Sequence, residues 1–378
     1  MTGSWKLLLA AASLAGVSWS MATPAVAQDP RVVSGGNADP ACFAPWREST
    51  RLLQFQARPG PYRVALANGY IANGWRRQMI RTAKAYASKP EVAARLREFR
   101  VVSTGEDVSA QVAAINGFID AGFDAILVDA ENPDAFGPVI ERARRAGVIL
   151  VAFDNTLDSD ETINVNVDQK GLGRFSAEWI VRTVPNGGRI LEVRGPAGLT
   201  VDRDRHDGVH EVLTASGRRW DVVEVNGMWD DRVAEAVTTE AIARHKRFDA
   251  VVSQAGDSGV IRALNATGHP FMPYAGENEN GFRKACGRFG DQGLKCASGG
   301  TGPAQVAVAL KAALAALDGK VVPQAIRLPL ATVTWPNFEA GRDYYSGLPD
   351  DFFVGNAFPS CGIAFTPSEI LGHGHADQ

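Results

Sequence analysis

The stretch QAGDSG at residues 254–259 is the first place in the chain where the residue types suggest covalent chemistry. Its Gly-Asp-Ser-Gly string surrounds the nucleophilic serine in trypsin-like proteases, so Ser258 is a candidate nucleophile. A serine becomes reactive beside a base, and none of the six histidines in the sequence has an obvious base context; His206, for example, falls in a predicted helix. The nucleophile elbow of α/β-hydrolases requires Gly-x-Ser-x-Gly, and Val260 takes the place of its last glycine. These observations disfavour catalysis by Ser258.

The elements around Ser258 predict a structural role for this turn. The apolar, β-branched segment FDAVVSQ before it predicts a buried strand, and SGVIRALNATG predicts the helix that follows. Trypsin-like proteases consist of antiparallel β-barrels, which this strand–helix pattern excludes. We therefore interpret Asp257 and Ser258 as capping residues at the start of the helix, with Gln254 facing a cleft. The sequence predicts a protein that is not an enzyme.

The same strand–helix alternation runs through most of the chain and predicts its fold. From Tyr62 onward, short apolar runs such as YRVALAN, FDAILVDA and VILVAFDN alternate with amphipathic helical segments, and the pattern starts again at about residue 168. Such alternation is typical of parallel sheets covered by helices on both faces, so we predict an α/β fold with two Rossmann-like lobes. Ligands of open α/β sheets bind outside the carboxyl ends of the strands. No Gly-x-Gly-x-x-Gly string follows the first strand of either lobe, so no dinucleotide site is expected.

The N-terminal residues predict export. Lys6 precedes an apolar run from Leu7 to Trp19, and Ala25-Val26-Ala27 offers the small residues that a signal peptidase requires. We predict a signal peptide that is cleaved after Ala27. The alternative, an N-terminal membrane anchor, fits less well because the run is short for a spanning helix. The formal net charge of −3 and the lack of Lys/Arg runs indicate no nucleic-acid partner.

Export permits disulfide bonds, and the sequence has four cysteines, which can pair in three ways. Cys286 and Cys296 bracket the glycine-rich segment CGRFGDQGLKC and pair most naturally with each other, which leaves Cys42 to pair with Cys361. A zinc site is the competing interpretation. The sequence contains no Cys-x-x-Cys or histidine-rich spacing that would support one, so no metal site is expected.

Six segments resemble a known family when they are taken together and in order. They are VALANGYIANGWRRQM, ILVDAENPDAFGPVIERARRAGVILVAFDN, VNVDQKGLGRFSAEWI, EVRGPAGLTVDRDRHDGV, VVSQAGDSGVIRAL and PYAGENENGFRKAC. The chain resembles the type I periplasmic sugar-binding proteins of the ribose-binding kind, which are solute receptors of ABC importers. The resemblance covers roughly residues 61–365.

The resemblance implies two lobes joined by a three-segment hinge, with the ligand held between them. The last long helix is expected to return to the N-terminal lobe after the strands of the second lobe. The expected divisions are a signal peptide (1–27), an irregular leader (28–60), an N-terminal lobe (61–167 and 302–333), a C-terminal lobe (168–301 and 334–365) and a tail (366–378).

Ligand residues of the first lobe follow from the resemblance and from sugar chemistry. Neighbouring hydroxyls suit side chains with two hydrogen-bonding atoms, and the face of a sugar ring suits flat aromatic side chains. The first strand–helix loop supplies Asn73, Trp75 and Arg76, of which Arg76 stands where the family usually has an aromatic residue. Asp154 matches an aspartate that binds two sugar hydroxyls, and Asn155 replaces a common arginine. The alternatives are a helix-core role for Trp75 and a turn-forming role for Asp154 and Asn155.

In the second lobe, Arg203 occupies the place of a sugar-binding arginine, with Arg205 as the substitute if the register differs. The alternative for DRDRHD is a solvated helix face with paired charges. Trp229 matches the stacking aromatic residue of the second lobe. Asp129 and Glu131 could resemble carboxylates paired for acid–base chemistry, but they end one strand of a repeated set, and we interpret them as polar groups of a hinge or a loop.

Three later loops complete the predicted site. Gln254 and Asp257 match a loop where the family places an amide or an acid, and Glu277 stands where aspartate is usual, so that its longer side chain would reshape the site. Thr301 lies at the last crossover, where a polar side chain is common. The departures from the ribose pattern at Arg76, Asn155 and Glu277 argue against ribose itself as the ligand.

We predict a binding protein that captures a small sugar or polyol in the periplasm by closure of two lobes and presents it to an ABC permease in the inner membrane. It needs no cofactor, and a monomer is expected. The alternative is a sensor that presents the ligand to a membrane chemoreceptor or histidine kinase. An exported enzyme on this fold would need a nucleophile–base pair that the sequence does not offer. The sequence leaves open whether the ligand is a pentose, a hexose, an alditol or a sugar acid.

Overall fold

The structure is a computed structural model that describes residues 1–2, 29–300 and 302–376. The apolar run and the cleavage site of the predicted signal peptide lie outside the described residues, and so does Thr301. Within the described ranges, no helix is both long enough and apolar enough to span a bilayer.

Regular structure in the described residues consists of 17 β-strands, 11 α-helices and three short 3₁₀-helices. The strands are β1 (Arg31–Val33), β2 (Leu52–Gln54), β3 (Tyr62–Asn68), β4 (Leu96–Ser103), β5 (Ala125–Asp129), β6 (Ile149–Phe153), β7 (Ile163–Asn166), β8 (Gly188–Arg194), β9 (Trp220–Asn226), β10 (Ala250–Ser253), β11 (Tyr274–Gly276), β12 (Cys296–Gly300), β13 (Val321–Pro323), β14 (Ala325–Arg327), β15 (Ala331–Thr334), β16 (Ala357–Phe358) and β17 (Ile363–Ala364). The helices are α1 (Gly74–Ala87), α2 (Pro90–Ala93), α3 (Val108–Asp120), α4 (Gly137–Ala146), α5 (Gln169–Thr183), α6 (Thr200–Ala215), α7 (Asp231–His245), α8 (Asp257–Thr267), α9 (Asn280–Phe289), α10 (Gln305–Leu317) and α11 (Pro367–Leu371).

The N-terminal lobe is built on a parallel sheet of six strands in the order β14-β7-β6-β5-β3-β4. Its central strands are almost entirely buried, because α1 and α10 cover one face and α3 and α4 cover the other. A strand that is buried on both faces is apolar along its length, and this explains uninterrupted runs such as AILVD in β5.

The C-terminal lobe repeats the architecture with six strands in the order β15-β12-β11-β10-β8-β9. All neighbouring strands are parallel except β15, which runs antiparallel to β12. Residues of α5 and α6 pack on one face of this sheet, and residues of α7, α8 and α9 pack on the other. The predicted α/β fold of two Rossmann-like lobes is confirmed.

Three crossovers join the lobes. The chain passes from β7 to α5, from β12 to α10 and from β14 to β15. The second crossover returns α10 to the first lobe, where it lies against β5 and β6. The third occurs slightly earlier than expected, because β15 begins at Ala331 and already belongs to the sheet of the C-terminal lobe.

Residues 29–60 differ from the irregular leader that the sequence predicts. The strands β1 and β2 form a small antiparallel sheet with β13. Between them, Cys42 and Phe43 are buried in the core of the N-terminal lobe. Two strands of three residues each are too short to show a hydrophobic period, so the sequence pattern does not reveal them.

The C-terminal segment, residues 335–371, contacts both lobes. Its first part lies on the C-terminal lobe, where the Asn280 side chain donates to three of its backbone carbonyls. Its second part enters the core of the N-terminal lobe through residues such as Phe352 and Phe358, and α11 lies against α1. The assignment of residues 334–365 to the C-terminal lobe is therefore wrong for the second half, because the apolar side chains there pack with α1 and α10.

Both predicted disulfide bonds are confirmed. Cys42 and Cys361 are bonded across a sequence separation of 319 residues, and this bond fastens the N-terminal and C-terminal segments to one another. Cys286 and Cys296 are bonded across 10 residues, between the end of α9 and the start of β12.

The two disulfide bonds are expected to stabilise the fold unequally. A cross-link restricts the unfolded chain more when it closes a longer loop, and loops of 319 and 10 residues differ by about 3 kcal/mol in this respect. We expect the double substitution Cys42→Ser/Cys361→Ser to lower the free energy of unfolding by about that much more than Cys286→Ser/Cys296→Ser. Urea denaturation of both variants measures the difference. Equal losses would show that closing the longer loop gives no extra stabilisation.

Candidate ligand-binding site

A cleft of about 350 Å³ lies between the lobes, where the carboxyl ends of the two sheets face each other. This is the position at which ligands of open α/β sheets bind. The N-terminal lobe contributes Asn73, Trp75, Arg76 and Asp154 to its wall. The C-terminal lobe contributes Val201, Arg205, Trp229, Gln254, Ala255 and Glu277, and the C-terminal segment contributes Phe353.

A larger depression of about 760 Å³ lies elsewhere on the N-terminal lobe. It is bordered by Phe55, Arg58 and the first residues of β6, so it faces the amino end of that strand. The cleft between the lobes is the better candidate, because polar groups from both sheets converge on it at their carboxyl ends.

Seven of the eleven predicted ligand residues line the cleft: Asn73, Trp75, Arg76, Asp154, Trp229, Gln254 and Glu277. Asn155 and Asp257 are buried behind the wall, and Arg203 lies outside it. Three lining residues were not predicted: Val201, Ala255 and Phe353. The first two lie within two residues of predicted positions, whereas Phe353 comes from a segment without a periodic pattern.

Arg76 is the most deeply buried charge of the cleft, with a relative exposure of 1%. Its Nη1 lies 2.8 Å from Oδ2 of Asp129 and 3.7 Å from Oε1 of Glu131, and it donates a hydrogen bond to the side chain of Asn68. Its Nη2 has no hydrogen-bond acceptor among the described residues. Buried donors are normally paired, so this nitrogen is available to a ligand in the cleft. Asp129 and Glu131 therefore act as counter-ions of Arg76, which is a more specific role than the loop polar groups that the sequence suggested.

The charges around Arg76 are mutually dependent. Burial raises the pKa of Asp129 well above its ordinary value, and the positive charge of Arg76 opposes that shift. Burial alone would lower the pKa of Arg76, but Asp129 and Glu131 outweigh it, and the net shift is upward. The guanidinium therefore stays charged in the closed cleft.

Asp154 follows β6 and presents its carboxylate from a strained backbone. Its φ is 58°, in the left-handed region that residues with a side chain seldom adopt. One carboxylate oxygen accepts a hydrogen bond from Gln305 at 2.9 Å and the other accepts one from Asn155 at 3.3 Å. Burial raises the pKa of Asp154, and Arg76 and Arg205 act against that shift. Strain of this kind persists where surrounding contacts enforce it, which is common at binding sites.

Arg205, rather than Arg203, is the arginine that the second lobe places in the cleft. The Arg203 side chain is 65% exposed and pairs with Asp204, whereas that of Arg205 is 10% exposed and lies 2.5 Å from Oε1 of Glu277. The prediction of Arg203 is wrong because its register was shifted by two residues. On a helix, side chains two residues apart point in directions that differ by about 200°, so Arg203 faces away from the cleft. Arg205 also donates to Gln169 and to the backbone carbonyl of Gln254, so its orientation is fixed.

Trp229 closes one side of the cleft and is held by a tight loop. Both Met228 and Trp229 have positive φ, 55° and 51°. The indole Nε1 donates to Oε1 of Gln254 at 3.2 Å. The ring lies directly on the backbone of Gly195, where a Cβ atom would overlap it. Glycine is required at that position because the indole occupies the space of a side chain.

Asp257 supports the wall from behind. Its carboxylate accepts hydrogen bonds from the Tyr274 hydroxyl at 2.7 Å and from the backbone N–H of Glu277 at 2.9 Å. Its position fixes the loop that presents Glu277 to the cleft. The predicted capping role is not observed, because the N–H groups of Gly256 and Ser258 at the start of α8 donate instead to the carboxylate of Glu279.

The two lobes are in contact on both sides of the cleft. The Tyr70 hydroxyl donates to the backbone carbonyl of Met228 at 3.2 Å, and the N–H of Val201 donates to the Asn155 side chain at 3.3 Å. Each bond joins a residue of the first lobe to one of the second. The structure therefore represents the closed form, and Asn155 contributes to closure rather than to the wall.

The fold and the cleft define a two-lobed solute receptor. A solved ABC transporter solute-binding protein from Thermobispora bispora is similar to this chain, with a TM-score of 0.72 at 24% identity over 79% of this chain and 92% of that one. A sequence profile of the Periplasmic binding protein domain matches residues 64–321, more than half of the chain. The chain belongs to this family, which implies a periplasmic location. Its members are solute-binding proteins rather than enzymes, in agreement with a non-catalytic Ser258.

Two curated relatives show what related sequences bind. The D-ribose/D-allose-binding protein of Pseudomonas aeruginosa is 26% identical over 225 residues, which are 56% of this chain and 68% of the relative. The xylitol-binding protein of Mycolicibacterium smegmatis is 25% identical over 178 residues, which are 46% of this chain and 51% of the relative. The resemblance that the sequence segments carry is thereby confirmed at the level of the family.

The buried carboxyl of Asp257 is expected to make stability depend on pH. Burial raises its pKa from 3.8 to about 7. Because the folded value is the higher one, its contribution to stability is fully present below about pH 4 and is lost as the pH rises through about 7. We expect the free energy of unfolding of the wild type to fall, relative to that of Asp257→Asn, by up to about 1.4 kcal/mol per pH unit in this window.

Urea denaturation of both proteins at several pH values between about 4 and 8 measures this difference. Asparagine is a suitable replacement, because its carbonyl can accept from Glu277 and its amide can donate to the Tyr274 oxygen. Parallel stability profiles of the two proteins would show that Asp257 does not titrate in this range.

Proposed function

We propose that the protein binds a small, neutral sugar or polyol in the cleft and presents it to an ABC permease. The observation that carries this proposal is the charge balance of the wall. Each arginine of the cleft is already paired with a carboxylate of its own lobe: Arg76 with Asp129, and Arg205 with Glu277. The remaining hydrogen-bonding atoms then face a ligand that needs directional donors and acceptors rather than a counter-ion.

The charge balance disfavours a sugar acid, which the sequence left open. Three carboxyl groups, those of Asp129, Asp154 and Glu277, lie close to the two arginines around the cleft. An anionic ligand would therefore gain little net attraction on entering a desolvated site. Sugar hydroxyls both donate and accept, so they can pair with carboxylate oxygens and with guanidinium nitrogens at once.

The size of the cleft and its aromatic wall suit a single monosaccharide or alditol. The side chains of the two lobes leave only a small space between them, so the cleft suits a ligand of one sugar unit. The indole of Trp229 offers a flat, weakly apolar face of the kind that C–H groups of a sugar contact. The names of the two relatives, which bind ribose or allose and xylitol, support the same class of ligand.

Delivery to a permease is the output that we propose. It rests on membership of the periplasmic binding protein family and on the predicted signal peptide at residues 1–27. Closure of two lobes around the ligand produces a surface that a permease can distinguish from the open form. The chain would act as a monomer in the periplasm.

Titration calorimetry with a panel of aldoses, alditols and sugar acids tests the proposal. We expect at least one neutral member to bind and the sugar acids to bind more weakly than the matching neutral compounds. The result that would overturn the neutral-ligand proposal is preferential binding of a sugar acid. No binding by any carbohydrate would overturn the sugar assignment while leaving the family unaffected.

Arg205 and Arg203 provide a matched pair of variants on one helix. We expect Arg205→Ala to weaken binding of the best ligand at least tenfold, because it removes a guanidinium from the wall and leaves the buried Glu277 carboxylate without its partner. Arg203→Ala should bind within twofold of the wild type, since that side chain is 65% exposed. Titration calorimetry measures the affinity of both variants for this ligand. Equal losses of affinity in the two variants would contradict the placement of Arg205 in the cleft.

A further inference from the structure

A group of side chains that can be metal ligands lies on the C-terminal lobe, away from the wall of the cleft. Glu192 is on β8, Glu224 is on β9, and His206 and His210 are one turn apart on α6. One ligand atom of each side chain can be chosen so that all four lie within 4.8 Å of one another. We call these four residues the His-Glu cluster.

Glu192 is the centre of the His-Glu cluster. Its side chain is a carboxylate, yet the residue is only 1% exposed and lies on a strand flanked by β9 and β10. Its Oε1 lies 3.0 Å from Nδ1 of His206, and its Oε2 lies 3.0 Å from Nε2 of His210. Ligand atoms at about 2.0–2.2 Å from a tetrahedral zinc lie about 3.3–3.5 Å from one another, so small shifts would convert this arrangement into a coordination shell.

The sheet register brings a like charge next to Glu192. Glu224 is its direct partner on the neighbouring strand, so the two carboxylates lie side by side on one face of the sheet. Like charges in this position are destabilising unless a cation lies between them. Arg194 contacts Glu224 at 2.8 Å but also pairs with Asp202, so it is shared between two acids. The side of Glu192 that faces α6 meets imidazoles, which can be metal ligands.

We propose that Glu192, His206 and His210 bind a divalent transition-metal ion of the zinc type, with Glu224 as the nearest fourth donor. Two imidazoles and a carboxylate form a ligand set that zinc prefers, and hard cations such as Mg²⁺ favour all-oxygen sites instead. The His210 and Glu224 side chains are 37% and 43% exposed, so an ion can enter from solvent.

The metal would connect α6 to two strands of the sheet. The same helix carries Arg205, the residue next to His206, which lines the cleft. A metal bridge from α6 to β8 and β9 would fix the helix that positions this arginine. The inference does not depend on which ligand the cleft binds.

Zinc titration of the chelator-treated protein tests the proposal. The probe is zinc chloride, with a zinc-sensitive chelating dye as competitor, and cobalt(II) absorbance reports the coordination geometry. We expect one zinc ion per chain in the wild type, and at least tenfold weaker binding in His210→Ala and in Glu192→Gln. His245→Ala is the matched control, because His245 lies on α7 outside the His-Glu cluster, and it should bind zinc within twofold of the wild type.

Two results would overturn the proposal. One is the absence of zinc binding by the folded wild type, and the other is equal zinc affinity in His210→Ala and His245→Ala. Either would show that the His-Glu cluster is a set of ion pairs only. Circular dichroism of each variant confirms that it is folded, and His210→Ala is suitable because its side chain is partly exposed.

Discussion

Two buried ion pairs determine how the cleft works: Arg76 with Asp129, and Arg205 with Glu277. A buried charge without a partner is costly, so each arginine needs its carboxylate whether or not a ligand is present. The first pair lies within the N-terminal lobe and the second within the C-terminal lobe, so neither pair joins the two lobes. Each half of the site is therefore assembled independently, and closure brings two finished walls together. A ligand does not have to order these side chains, which lowers the entropic cost of binding.

The sequence was sufficient to predict which loops and helices supply the site residues, but not the direction in which each side chain points. Loops at the carboxyl ends of parallel strands converge wherever the sheet places them, and this brought Asn73, Asp154 and Glu277 to one cleft as expected. The error at Arg203 arose on a helix, where each residue turns the side chain by about 100° and a register shift of two positions reverses its face. The roles of Asp129 as a counter-ion and of Glu279 as a cap depend on contacts between distant loops. Local sequence patterns do not reveal such contacts.

The same limit explains why the chain ends were misplaced. Residues 29–60 and 335–371 have short strands and no sustained hydrophobic period, so their structure comes from tertiary contacts. Residues 29–60 contact the N-terminal lobe, and residues 335–371 contact both lobes. Only the count and spacing of the cysteines indicated that Cys42 and Cys361 meet. The His-Glu cluster shows a related limit. His206 and His210 are four residues apart in the sequence, but Glu192 and Glu224 come from two strands, and no local pattern shows that these glutamates meet the histidines.

Besides the three crossovers, the C-terminal segment also connects the two lobes, through hydrogen bonds to each of them. At Phe353, the backbone exchanges two hydrogen bonds with the Gln78 side chain on the N-terminal lobe, while its neighbours bond to the backbone of residues 278 and 280 on the C-terminal lobe. Separation of the lobes at this point must break one of these two sets of bonds. Phe353 also lines the cleft, so these hydrogen bonds hold the two lobes together at the edge of the site. A bound solute could then escape only after these hydrogen bonds break, so its dissociation rate would depend on them as well as on its own contacts. Substitutions in this segment could therefore change the residence time of the solute without changing the residues that contact it.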